Sequence, residues 1–163
     1  MALPGYVSTM AGKDARQTAL ITGASSGIGY DLAQLMAADF DLIVTARNQK
    51  KLEQLAQELE GRHGNHVHVV PADLARTDAP TQIFSEIARR GLQVDALVNN
   101  AGFGAHGEFK STLLEDELQM IQVNVTALTH LTKLALPGML ERKRGRILNV
   151  ASTAGFQPGP FMA

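Results

Sequence analysis

Thr18-Ala19-Leu20-Ile21-Thr22-Gly23-Ala24-Ser25-Ser26-Gly27-Ile28-Gly29 runs from a short apolar segment straight into a glycine-rich turn. The apolar part has the length of a buried strand and is bounded by a turn signal. Beyond the turn, Ile28, Leu32, Leu35 and Met36 recur at i, i+4, i+7 and i+8, the stripe of an amphipathic helix. Strand, glycine turn and helix form the first beat of a rhythm that repeats down the chain. Leu42-Ile43-Val44-Thr45 is the second strand, and Leu52, Leu55, Ala56 and Leu59 stripe a second helix that Gly61 is placed to end. Residues 67–71 read as a third strand, and Ile83, Phe84, Ile87 and Ala88 as a third helix stopped by Gly91. Residues 94–99 make a fourth strand.

From about residue 113 to 140 the chain is apolar-periodic, with Leu114, Leu118, Ile121, Val125, Leu128, Leu131, Leu134 and Leu136 in one long helix. Pro137 should kink or close that helix near its end. Residues 146–151 form a fifth strand. Asp95-Ala96-Leu97-Val98 and Arg146-Ile147-Leu148-Asn149-Val150-Ala151 lack clean polar alternation, as strands covered on both faces do. Five strands alternating with four helices imply right-handed crossovers and a parallel sheet with helices on both sides. The expected fold class is doubly wound α/β. Residues 1–16 form a polar leader, and the domain occupies residues 17–163.

Composition narrows the function classes. The 163 residues are 45% apolar and 19% charged, a globular balance in a chain of one-domain length. A chain of this size buries about 70% of its unfolded surface. Fifteen Lys plus Arg against 16 Asp plus Glu leave a net charge of -1, which gives no electrostatic footprint for nucleic acid or an anionic membrane. Zero cysteines exclude disulfides, thiolate zinc sites and cysteine nucleophiles. No apolar run has the length of a membrane span, and no basic start precedes an apolar block. A soluble, cytoplasmic protein is expected.

The glycine turn can carry chemistry because a glycine backbone adopts positive φ and leaves no Cβ in the way of a ligand. N–H groups at the helix start then face an anion, usually a pyrophosphate. The spacing is T-G-x-x-x-G-x-G over Thr22 to Gly29, and here the chain resembles the short-chain dehydrogenase/reductases, nicotinamide-dependent oxidoreductases with a Rossmann fold. The resemblance extends from about Gln17 to the last residue. It implies that Gly23, Ser25, Ser26, Gly27, Ile28 and Gly29 hold the cofactor. Asn99-Asn100-Ala101-Gly102 matches the family's N-N-A-G, so Asn100, Ala101 and Gly102 are expected to flank the cofactor while Asn99 ties neighbouring strands. Asp73-Leu74 matches the pair that brackets the adenine; an Asp in a plain turn is the competing reading.

The end of the second strand bears on NAD against NADP. A carboxylate there would bind a free 2'-hydroxyl and repel a 2'-phosphate. This chain has Ala46 and then Arg47, whose guanidinium can pair with phosphate, so NADP is expected over NAD. Asn124 lies within the long helix, where the family keeps its active-site asparagine; a buried amide satisfied by neighbouring backbone is the alternative. Ser152, in Ala151-Ser152-Thr153-Ala154-Gly155, matches the catalytic serine that hydrogen-bonds the substrate oxygen.

The family's acid/base tyrosine and its lysine, in Y-x-x-x-K, come about thirteen residues after that serine, which falls two positions beyond Ala163. Tyr6 and Tyr30 are the tyrosines present, and neither begins that pattern. The chain is therefore expected to be the amino-terminal part of a family domain, inactive by itself. The resemblance implies a small-molecule carbonyl or alcohol substrate, with Phe103, Gly104, Ala105 and His106 on the near side of its pocket. Family dimers commonly use the long helix together with a following helix that this sequence does not include, so the resemblance leaves a homo-oligomer open without fixing the oligomeric state. The alternatives are a non-enzymatic nucleotide-binding remnant and an interaction module with the same fold. His66 and His68 share a strand face but have no third ligand of suitable spacing, so no metal is expected. Lys143, Arg144 and Arg146 suit the helix C-terminus that precedes them.

Overall fold

β1 (Gln17–Thr22) lies at the centre of the sheet, between β2 (Phe40–Thr45) on one side and β4 (Ala96–Asn99) on the other. A computed structural model describes residues 16–157 and 159–161. β3 (Val67–Val69) and β5 (Arg146–Asn149) complete the order β3-β2-β1-β4-β5, and every pairing is parallel. Along β1 the side chains alternate between two cores, as the two-residue period of a strand requires. Ala19 and Ile21 join Leu42 and Val44 beneath α1 (Gly27–Met36) and α2 (Gln49–His63). Leu20 joins Ile43 and Leu97 beneath α3 (Ala79–Arg89) and the long helix. That helix has three parts: α4 (Leu114–Ile121), a π-helical segment (Gln122–Ala127) and α5 (Leu128–Glu141). Full burial of side chains such as Leu20, Ile43 and Leu97 contributes about 1.5–3 kcal/mol each. The doubly wound α/β fold read from the sequence is the fold observed.

Several elements differ from the sequence expectation, each for a physical reason. In α1 only half of the apolar stripe meets the core: Leu32 and Met36 pack against it half-buried, but Ile28 and Leu35 are 60% and 73% exposed, and the fully buried positions are Gly29 and Ala33. The helix start lies so close to the sheet that only a glycine fits at position 29, and larger side chains reach the core from the flanks of the helix. In α2 the expected stripe of Leu52, Leu55, Ala56 and Leu59 is buried. Gly61, however, does not end the helix; it continues to His63, and Gly64 takes the left-handed cap at φ 61°. Gly91, at φ 67°, stops α3 as expected.

The long helix buries only part of the face its apolar residues suggested: Leu131 is buried and Leu128, Leu134 and Leu136 are half-buried. Leu114, Leu118, Ile121 and Val125 are exposed, whereas Val123, Ala127, Leu131, Ala135 and Met139 face the sheet. Pro137 is accommodated inside α5, which runs on to Glu141. β5 is exposed along its length and is not covered on both faces: Ile147 and Leu148, on opposite faces of the strand, are both open to solvent. Arg142 and Arg144 serve more than the helix end. Both face Asp95, at 3.6 and 3.3 Å, and Asp95 also accepts the Thr18 N–H at 3.1 Å. Among the described residues no helix is long and apolar enough to cross a membrane. The leader lies outside them, apart from Arg16.

Candidate functional site

All five strands point their carboxyl ends the same way, and the residues singled out in the sequence follow those ends. The first knot there is made by Thr22, the last residue of β1. Its hydroxyl donates to the Val98 carbonyl at 3.3 Å and accepts the N–H groups of Asn100 and Ala101, both at 2.9 Å. Asn100 returns the contact, its Nδ2 donating to the Thr22 carbonyl at 2.8 Å. Gly23 follows at φ 70°, its N–H donating to the Thr45 carbonyl at 2.8 Å, so the turn is fastened to β2 as well. A Cβ on Gly29 would fall 2.3 Å from Asn100 Nδ2 and 2.5 Å from the Gly23 carbonyl oxygen. Only glycine lets α1 start this close to the sheet.

The other side of the turn is open. Ser26, Gly27 and Ile28 are exposed, with Ser25 half-buried beside them. Gly27 sits at φ 56°, and a Cβ there would meet nothing within 4 Å. Ser26 is the N-cap residue of α1, yet its side chain makes no capping hydrogen bond, and the first turn carries no acidic residue. The positive end of the helix dipole and its first N–H groups therefore face solvent without a competing carboxylate, the arrangement that receives an anion. Arg47 follows the end of β2 and is exposed. Next to it Asn48 caps α2, accepting the Lys51 N–H at 3.0 Å. Asp73 is a turn residue: its carboxylate accepts the Ala75 N–H at 3.1 Å. Leu74 is buried behind it.

Beyond β4, Asn124 and the backbone of Phe103 form a two-bond clasp. Asn124 Oδ1 accepts the Phe103 N–H at 3.1 Å, and its Nδ2 donates to the Phe103 carbonyl at 2.8 Å. A Cβ on Gly102 would press to 3.0 Å from Asn124 Oδ1. Asn124 is exposed, not buried, and its helix is π-helical at that point, a local widening that recurs at functional sites. Asn99 ties strands as expected, its Nδ2 donating to Asn149 Oδ1 at 2.9 Å and Thr132 Oγ1 at 3.1 Å.

Val150 N–H bonds the Asn99 carbonyl at 2.9 Å, so Ser152 leaves β5 next to the strand that carries Asn100 to Gly102. Ser152 Oγ accepts the Ala154 N–H at 3.1 Å and keeps its own proton for another acceptor. The loop after β4 shapes an open cavity of about 430 Å³, with Phe103, Gly104, Ala105 and His106 in its wall.

Two side candidates fall away. Tyr30 points to the neighbouring helix, its phenol donating to Glu58 Oε2 at 3.0 Å, so it is not turned toward Ser152; Tyr6 lies outside the described residues. His66 and His68 meet no further ligand, and no group of three His, Asp or Glu among the described residues could hold a metal. Burial, with Arg90 and then His66 beside it, holds His68 below the usual imidazole range. Thr22 is the residue the sequence reading passed over. Its signal was present in the T-G opening of the turn, but its partners are 76 to 79 residues away.

The short-chain dehydrogenase family model matches residues 17–163. The chain belongs to the short-chain dehydrogenase family. Its relatives include the dehydrogenase/reductase SDR family member 7B of Mus musculus, 36% identical over 146 residues that cover 87% of this chain and 45% of the relative. A very-long-chain 3-oxoacyl-CoA reductase of Phaeosphaeria nodorum is 35% identical over 151 residues, covering 89% of this chain and 44% of that one. Among solved structures, L-sorbose reductase from Gluconobacter frateurii, complexed with NADPH and L-sorbose, superposes with a TM-score of 0.85 at 29% identity. That match covers 91% of this chain and 57% of the other. A short-chain dehydrogenase from Sphingobium yanoikuyae in complex with NADPH gives 0.83 at 35% identity, covering 90% and 57%. The chain thus spans about half the length of the curated relatives it matches.

Proposed function

We propose that residues 17–163 are the nucleotide-binding part of an NADP-dependent short-chain oxidoreductase that interconverts a carbonyl and an alcohol. The observation that carries this reading is the open glycine cradle at the start of α1, with Gly27 facing empty space and Gly29 locked against Asn100. The residues fit a nicotinamide dinucleotide. Gly23, Ser25, Ser26, Gly27, Ile28 and Gly29 would receive the pyrophosphate on the first N–H groups of α1. Asn100, Ala101 and Gly102 would flank the ribose, with Asp73 and Leu74 beside the adenine. Arg47, next to the uncharged Ala46, would take the 2'-phosphate. NADP(H) in two of the structural neighbours supports that choice.

When bound, the cofactor supplies or accepts hydride at the substrate carbon. The chain's own residues orient and polarise. Ser152 donates its hydroxyl proton as a hydrogen bond to the substrate oxygen, stabilising charge that develops there. Asn124 acts on the loop after β4, holding Phe103 and with it the near wall of the cavity. Proton exchange with the substrate oxygen is the task of a tyrosine in this family, and Tyr30 is committed to Glu58. A small-molecule carbonyl or alcohol is the substrate class.

Titration of the chain with NADPH, followed by nicotinamide fluorescence, tests this function. Saturable binding is expected. Arg47→Ala should weaken NADPH about tenfold or more, the scale of a lost charge-assisted hydrogen bond, and leave NADH nearly unchanged. Equal losses for the two cofactors would refute the NADP assignment. Absence of binding by folded protein would favour an interaction module.

A further inference from the structure

The first turn of α1 has little of the reinforcement that helix starts usually carry. Ser26 gives no side-chain cap, and two of the first three residues, Gly27 and Gly29, are glycines. The bond that closes the turn, from Tyr30 N–H to the Ser26 carbonyl, is long at 3.4 Å. Glycine at such positions raises the entropic cost of order. Yet this turn is the proposed anion cradle.

The compensation comes from the side chain of Tyr30. Tyr30 is half-buried and packs against the core shared by α1, α2 and the sheet. Its phenol donates to Glu58 Oε2 at 3.0 Å and accepts from Gln34 Nε2 at 2.9 Å. Gln34 Nε2 also donates to Glu58 Oε1 at 2.9 Å. Arg62 closes the ring, reaching Gln34 Oε1 at 2.7 Å and Glu58 Oε1 at 2.8 Å. Tyr30 and Gln34 stand on α1, and Glu58 and Arg62 stand on α2, the helix that begins directly after Arg47 and Asn48.

We propose that Tyr30 is a positioning residue for cofactor binding: through Glu58, Gln34 and Arg62 it fixes the first turn of α1 relative to α2, and so sets the spacing between the glycine cradle and Arg47. The inference rests on the reading of that cradle as a dinucleotide site. Gln34, Tyr30 and Arg62 hold the Glu58 carboxyl below the usual carboxylate range. A dinucleotide phosphate needs both ends of that span in place at once, and binding loses affinity when the cradle must be ordered on arrival.

The full chain is titrated with NADPH, and hydrogen exchange is followed in peptides from the start of α1. Tyr30→Phe keeps the ring and removes the hydroxyl. It should raise the NADPH Kd about threefold, a fraction of the tenfold that 1.4 kcal/mol represents, and speed exchange in the first turn. Glu58→Ala should do the same, and the double variant should be no worse than either. Glu58→Gln, which keeps an acceptor oxygen, should restore a Kd near that of the parent. An unchanged Kd in Tyr30→Phe overturns the proposal, even with a lowered Tm, because that pattern marks a merely structural network. Failure of the parent chain to bind NADPH would instead remove the dinucleotide reading on which it rests.

Discussion

Lys143 occupies a position where glycine is the common choice. It lies just past α5 at φ 52°, its N–H bonding the Leu140 carbonyl while the Arg144 N–H reaches back to Met139, both at 3.0 Å. That pair of bonds is the left-handed helix stop in which a Cβ is a burden. The nearby glycine is two residues late, and it is committed elsewhere: a Cβ on Gly145 would fall 2.5 Å from the Met139 side chain. Lys143→Gly should therefore raise stability by about 1 kcal/mol, from the relief of left-handed strain net of glycine's entropy. Urea denaturation reads this directly, and a destabilised variant would show that the lysine side chain contributes more than its backbone costs. Asn124 illustrates the same scale at the site. Its amide was legible as out of place in an apolar helix, but its partner, the Phe103 backbone, was not.

At the scale of elements, α3 offers a charge test. Glu86 receives Arg89 at 2.7 Å and Arg90 at 2.6 Å, and these hydrogen bonds, Arg89 first, hold its carboxyl down at about 2. A folded-state value below the unfolded one means stability that is full above about pH 5 and is lost as pH falls toward 2. Glu86→Gln should thus lower Tm at neutral pH and converge on the parent curve near pH 2. A gap that stays constant across that range would show the ion pairs to be idle. What the sequence allowed to be read also divides by element. β1, β2 and β4 were legible because each is a short apolar run, and β1 stops at a glycine turn. The faces of α1 and the long helix were not. In α1 the buried residues are Gly29 and Ala33, which hydrophobic periodicity passes over. In the long helix apolar residues lie on more than one side, and the buried set from Val123 to Met139 recurs every four residues. That spacing exceeds the regular 3.6, and a π-helical segment with its i→i+5 bonds takes up part of the difference. The glycine cradle was plain in the sequence because its signal is local. The Tyr30 network was not, since it joins residues up to 28 apart that follow no motif.

At the scale of the whole molecule, the described residues leave many large apolar side chains in contact with water. Leu114, Leu118, Ile121, Val125 and Leu140 on the long helix, with Ile147 and Leu148 on the edge strand β5, are all exposed. Exposed apolar side chains, together with a β5 edge that pairs with no strand among the described residues, promote association. Light scattering of the chain should show mass rising with concentration, and Leu118→Lys with Leu140→Lys should suppress it. A parent chain that stays monomeric over a wide concentration range would contradict this. The strand order has a second consequence, in time. β1 is made first yet sits in the middle of the sheet, and the Thr22–Asn100 knot joins residues 78 apart. At about 5–20 residues per second, a ribosome needs about 4–16 s to deliver Asn100 after Thr22 has emerged. The half-sheet β3-β2-β1 can form in that interval, but one flank of β1 stays bare and the cradle stays unfastened. The nascent chain thus passes through a window in which it offers an open strand edge to chaperones or to other nascent copies of itself.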